Sequence, residues 1–161
     1  MAKLGSNHIH EVEQRRLAAL KAYHILDTPP EQSFDRITAL AAALFGVPIS
    51  TISLVDESRQ WFKARVGVDA TETPRDLAFC AYAIHTDEVL VIPDVTQDER
   101  FKANPLVTGG PKIRFYAGAP LITPSGDRLG TVCIIDVHPR PALLHTERAN
   151  LERLAAIVVD E

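Results

Sequence analysis

An α+β domain, with an antiparallel sheet carrying helices on its faces, is the fold class this sequence predicts. Three observations point there. Two stretches rich in β-branched and aromatic residues are each turned back by a short loop into a second such stretch, which makes two hairpins. Apolar residues recur at helical spacing near both ends of the chain. The length of 161 residues, with 46% hydrophobic and 24% charged side chains, suits one domain around one sizeable core.

Residues 1–10, MAKLGSNHIH, read as a flexible start in which His8 and His10 have no role, and the domain is expected over residues 11–161. From Glu11 to Leu26 the apolar positions Leu17, Leu20, Tyr23, Ile25 and Leu26 predict a one-faced helix. Thr28, Pro29 and Glu31 then read as cap, first helical residue and capping-box partner of a second helix. Its stripe is Phe34, Ile37, Leu40, Ala41 and Leu44, and Gly46 with Pro48 supplies the stop. ISTISLVD (49–56) and QWFKARVG (60–67) form the first hairpin. In RDLAFCAYAIH, Asp76 is placed to cap a short helix, and LVIPD (90–94) reads as a brief strand closed by proline. QDERFKANP is loop or a single helical turn. IRFYAGAPLI and RLGTVCIID flank TPSGD, whose Gly126 suits the second hairpin loop. Alternation along that hairpin divides Phe115, Ala117, Ala119 and Leu121 from Arg114, Tyr116, Gly118 and Pro120. One of the two faces is expected to line a pocket, since the small residues at 117 to 119 clear space either for a closely packed helix or for a ligand. From Thr146, the stripe Leu151, Leu154, Ala155 and Val158 has no stop signal before Glu161, so the final helix is expected to run on into a signalling linker of a longer protein.

Composition excludes several classes of function. Net charge is −4 with Lys and Arg scattered, which gives no footprint for nucleic acid or an anionic membrane. No apolar run approaches the roughly 20 residues of a membrane span, and MAKLGSNHIHEVEQ lacks the apolar segment of a secretory signal, so a cytoplasmic location is expected. Cys80 and Cys133 are the only cysteines, too few for a disulfide framework or a four-thiolate site.

Within DLAFCAYAIH, Cys80 and His85 are five residues apart, which on a helix turns their side chains about 140° from one another. Chelating pairs on a helix sit three or four apart, so no metal site is expected here. Cys80 reads first as a small buried hydrophobe. Facing a pocket alone, it would be an oxidisable sensor, and His85 a haem ligand or polar contact. Asp94, Asp98, Arg100 and Asn104 share one polar loop and, with Arg114, either surround a charged ligand or hold the loop through their own ion pairs and turn bonds. Arg75 reads as half of a structural ion pair. Trp61, Phe62, Lys63 and Arg65 would suit nucleic-acid stacking only in a less acidic protein. There is no Ser/His/Asp nucleophile motif, phosphate-binding glycine loop or metal-spaced carboxylate pair, which predicts a protein that is not an enzyme.

The succession ILDTPPEQSFDRITALAAALFGVPISTISLVDESRQWFKARVG, ETPRDLAFCAYAIH, LVIPDVTQDERFKANPLV and IRFYAGAPLITPSGDRLGTVCIID, followed by a closing helix, resembles the GAF domain family over residues 11–161. It is most similar to the bacterial subgroup at the front of sensor histidine kinases and diguanylate cyclases. The resemblance implies a largely antiparallel six-stranded sheet with the terminal helices on one face. A small-molecule pocket on the other face would be roofed by the middle helix and loops. It also implies a regulatory role, with catalysis in an attached output domain, as in two-component systems. Cyclic-nucleotide-binding members carry an Asn-Lys pair, but here Asn104 precedes Pro105 and no later Asp-Glu completes the pattern. Bilin-binding members commonly place His after the attachment cysteine, whereas Ala81 follows Cys80 and Ile134 follows Cys133. No cofactor, haem included, is therefore expected. The candidate ligand contacts are Phe79, Cys80, Ile84, Asp94, Arg100, Phe101, Asn104, Phe115, Tyr116, Ala117 and Gly118. The expected partners are an unknown small molecule and a second copy of the chain, paired through the terminal helices. Alternatives are a ligand-free dimerisation or relay module and, more remotely, a free methionine sulfoxide reductase, whose several loop cysteines this chain does not match.

Overall fold

The computed structural model describes residues 2–161, with side chains from residue 8 onward. Helix α1 spans Ala2–Ala22, so residues 2–10 of the expected flexible start are helical, and Met1 lies outside the described residues. The helix ends at Ala22, short of Leu26, because His24 takes a left-handed backbone angle of φ 51°. Helix α2 (Gln32–Phe45) is followed by strands β1 (Ile49–Val55), β2 (Arg59–Val66) and β3 (Glu72–Pro74). A 3-10 turn, Arg75–Leu77, leads to the single-turn helix α3 (Cys80–Ala83) and strand β4 (Leu90–Ile92). A second single-turn helix, α4 (Pro105–Thr108), precedes β5 (Phe115–Ile122), β6 (Arg128–Asp136) and the closing helix α5 (His145–Asp160).

All neighbouring strands are antiparallel, in the order β3-β2-β1-β6-β5-β4. The α+β expectation and its six-stranded sheet are therefore met. Strand alternation sends side chains to two separate layers. Ile52, Leu54, Trp61, Phe115, Ala117, Ala119, Val132 and Ile134 pack under the stripes of α1, α2 and α5, which supply Leu20, Ile37, Ala41, Leu151 and Leu154. Ile49, Tyr116, Cys133 and Ile135 face the other way, beneath Phe79, Cys80 and Ile84 of the α3 segment and Val95, Phe101, Val107 and Ile113 of the loops. Pairing jumps from Ser53↔Phe62 to Ile52↔Ala64, so Lys63 is the extra residue of a bulge in β2. That bulge lets Lys63 lie over the Phe34 ring on the helical side, 5.5 Å from its centroid.

Two local expectations are corrected, and one strand is added. Helix α2 begins at Gln32 with Glu31 as a cap that makes no side-chain cap bond, because the Lys63 ammonium draws on the whole preceding segment. It donates to the Thr28 hydroxyl and the Pro29 carbonyl, both at 2.7 Å, and pairs with Glu31 at 2.6 Å. Asp76 caps no helix: it lies inside the 3-10 turn, and α3 starts four residues later behind Phe79. The added strand is β3, whose three residues ending in proline carry no alternation signal. The Gly46 stop holds, with φ 62° and its N–H donating to the Ala42 carbonyl.

Candidate functional site

Beneath the α3 segment the sheet face encloses a cavity of about 180 Å³. Five strands line it: Ile49 and Thr51 from β1, Gln60 and Phe62 from β2, Thr73 from β3, Tyr116 from β5, and Cys133 and Ile135 from β6, the pairs on β1, β2 and β6 following period-two alternation. Phe79 and Ala78 close it from above, and Leu106 and Ile113 from the side. The lining holds no carboxylate, lysine, arginine or histidine.

The roof is an aromatic stack. The Phe79 ring lies 4.4 Å from that of Phe101 and 5.2 Å from that of Tyr116, both nearly parallel, and Tyr82 meets Phe101 edge-on at 4.9 Å. Such contacts hold the short α3 segment in place although a helix of one turn has little stability of its own. Below the stack lies a small buried polar cluster. Cys80 Sγ sits 3.2 Å from the Tyr116 hydroxyl and 2.9 Å from that of Thr131, while Cys133 Sγ is 2.9 Å from the Thr51 hydroxyl. Burial pushes the Cys80 thiol up, but hydrogen bonds with Cys133, Thr131, Tyr116 and Ser53 outweigh it and leave the group at about 7. The bond with Cys80, reinforced by burial, drives Cys133 the opposite way, and burial raises Tyr116.

The eleven residues singled out from the sequence do not converge. Phe79, Cys80 and Tyr116 meet at the cavity. Phe101 backs Phe79 from behind, and Ile84, buried in the same layer, faces a groove beside Val12 and Arg16 of α1. Phe115 and Ala117 lie in the opposite layer with the terminal helices, as alternation about Tyr116 requires. Gly118 does face the cavity side, yet the space it clears is taken by the Tyr116 ring, whose hydroxyl lies where a Cβ would stand. The polar loop is occupied with itself. Asp94 accepts from the Thr96 N–H and hydroxyl, Arg100 pairs with Asp98 at 2.8 Å, and Asn104 caps α4 through the Leu106 N–H while donating to the Leu77 carbonyl. His85 is exposed and outside the cavity lining. Among the described residues no three His, Cys, Asp or Glu side chains gather as a metal site would require, and no helix is long and apolar enough to cross a membrane.

Sequence reasoning passed over Gln60, Phe62, Ile113 and Leu106. The available signal was the amide of Gln60 two positions before Phe62 on one strand face, a polar group where the alternation expects an apolar one. A larger cleft of about 360 Å³ opens on the helical side near Phe34 and Val158, but its sheet-borne cation, Lys63, is already paired with Glu31.

Comparison with known proteins adds three kinds of likeness. The GAF domain model matches residues 29–159. A cyclic di-GMP phosphodiesterase of Pseudomonas aeruginosa is 44% identical over 149 residues, covering 92% of this chain and 25% of that protein. The chain thus spans about a quarter of that relative's length. Among solved structures, the GAF domain of an Acinetobacter phosphoenolpyruvate-protein phosphotransferase superimposes with a TM-score of 0.67 at 16% identity, covering 96% of this chain and 92% of that one. Its counterpart from Coxiella burnetii gives 0.67 at 15% identity over 92% and 90% of the two chains. The type II free methionine-R-sulfoxide reductase of Thermoplasma acidophilum gives 0.61 at 16%, over 80% and 90%. At such identities these structures show a shared fold alone.

Proposed function

The chain belongs to the GAF domain family, and from that premise we propose that it is a sensory module. It binds a small molecule in the cavity under α3 and passes the change to an output domain of a signal-transduction protein. The observation that carries this proposal is the cavity of about 180 Å³ on the sheet face opposite the terminal helices. Packed interiors leave few voids larger than a water molecule, so a module that only joined two copies would have no use for such a volume beneath a buried face. The chemistry of the output lies outside this chain. Its likeness to part of a protein named a cyclic di-GMP phosphodiesterase favours an output acting on that messenger.

The module is also proposed to pair with a second copy through α1 and α5, which expose Ile9 and Ile157. Native mass spectrometry of the chain purified from its own cells tests both parts. The expected spectrum shows a dimer that carries a small-molecule mass, and Ala78→Leu, which fills the cavity, loses that mass while remaining dimeric. A spectrum with no bound mass in the unsubstituted chain would favour the ligand-free relay instead.

A further inference from the structure

Gln60 holds the one buried side-chain oxygen or nitrogen without a hydrogen-bond partner among the described residues. Its Nε2 donates to the Thr73 hydroxyl at 3.0 Å, on the neighbouring strand β3, while Oε1 has no protein donor. The residue is only 6% exposed and lines the cavity under α3. Buried acceptors are nearly always satisfied, so an orphan on a cavity-lining residue marks where a donor from elsewhere belongs. The other polar atoms nearby are already taken: the Thr51 hydroxyl by Ser53 and Cys133, and the Cys80 thiol by Tyr116 and Thr131.

We infer that the cavity takes a neutral aromatic molecule of one or two fused rings that donates a single hydrogen bond to Gln60 Oε1. The inference rests on the proposed small-molecule site and adds the class of its ligand. Size comes first. A protein cavity of roughly 150 Å³ accommodates benzene, so about 180 Å³ suits a phenol or an indole. A cyclic dinucleotide, with two phosphates, is several times too large for it. Charge comes second: no carboxylate, lysine, arginine or histidine lines the wall, and an unpaired ion there would lose its hydration without compensation. Shape comes third. The rings of Phe62, Phe79 and Tyr116 face the space and favour offset or edge contacts with another ring. Specificity then falls on Gln60, because a site built around one polar atom rejects isosteres that cannot pair with it.

Calorimetric titration of the intact chain with indole, and with indene as the isostere lacking the N–H, tests this inference. Indole is expected to bind about tenfold more tightly than indene. In Gln60→Leu the preference should disappear. The ligand pair on the unsubstituted chain decides the matter even if that variant folds poorly. Equal affinity for the two probes would overturn the role of Gln60 and leave the cavity as a ligand site. Heat from neither probe, alongside a charged or larger molecule bound natively, would overturn the ligand class alone. Heat from neither and no natively bound mass would remove the sensory reading as well.

Discussion

Gly118 shows how one missing carbon organises the site. Tyr116 and Gly118 share a strand face, and the Tyr116 side chain folds along β5 into the space a Cβ at position 118 would fill. Gly118→Ala should therefore push the Tyr116 ring from its stack with Phe79 and its hydroxyl from Cys80, at a cost of about 1–3 kcal/mol. Chemical denaturation would read that loss, and unchanged stability would mean that Tyr116 has another place to go. The same residue explains why the site was only partly legible in the sequence. Small side chains at 117 and 118 do mark cleared space, but whether a ligand, a helix or a neighbouring ring fills it depends on contacts far away in the chain. Ala117 makes room for helices, and Gly118 makes room for Tyr116. Gln60 carried only a weak signal for a different reason, since its amide interrupts the apolar alternation but becomes unusual only once its burial is known.

Among the elements, α1 is fastened to the end of β1 by a chain of charges. Arg16 is buried; it donates to the Val55 carbonyl at 2.7 Å and holds Glu13 through both Nε and Nη2. Arg75, just beyond β3, reaches the same carboxylate at 2.6 Å and the Asp56 carbonyl at 2.9 Å. Partial burial resists ionisation of Glu13, but hydrogen bonds and charge from Arg16 and Arg75 outweigh it and lower the group from 4.5 to about 2. A carboxyl depressed on folding stabilises the protein fully above its unfolded value, and this contribution fades as pH falls from about 4.5 toward about 2. Allowing for the solvent that still reaches the group, it amounts to about 2 kcal/mol. Glu13→Gln should therefore flatten the stability profile across that acid window, which denaturation at a series of pH values would measure. An unchanged acid slope would show that the cluster is not coupled to folding. Elements whose signal is local were readable in advance: both long hairpins combine strand composition with a turn, and Gly46 ends α2 as expected. The start of α2 was not, because Lys63, more than thirty residues away in sequence, pulls Thr28 and Glu31 to itself.

For the molecule as a whole, one sheet divides two apolar layers, each bordered by a void: the cavity under α3 and the larger cleft near Phe34 and Val158. Period-two alternation identifies which strand residues lie together, but it does not say which layer the terminal helices cover; the expectation that they take one face came from the family resemblance. The structure assigns the helices to the face of Ala117 and the cavity to the face of Tyr116. Ala117 on the first face and Ala78 above the second should respond oppositely to added bulk. Ala117 is fully buried, lies between Val91 and Ile134 on its neighbouring strands, and shares its layer with Leu151 and Leu154 of α5. Ala117→Leu has no space to enter, and overpacking should cost about 1–3 kcal/mol, lowering Tm by several degrees. Ala78 is just as buried but borders the cavity, so Ala78→Leu can place its extra carbons there and leave stability unchanged or raised by up to about 2 kcal/mol. Ligand binding should follow the reverse pattern, abolished by Ala78→Leu and retained in whatever fraction of Ala117→Leu is folded. Thermal unfolding of the two variants side by side, with and without indole, makes the comparison. Equal destabilisation by both would mean that the α3 face is as tightly packed in solution as the helical face, and a sensor built on its cavity would then have no physical basis.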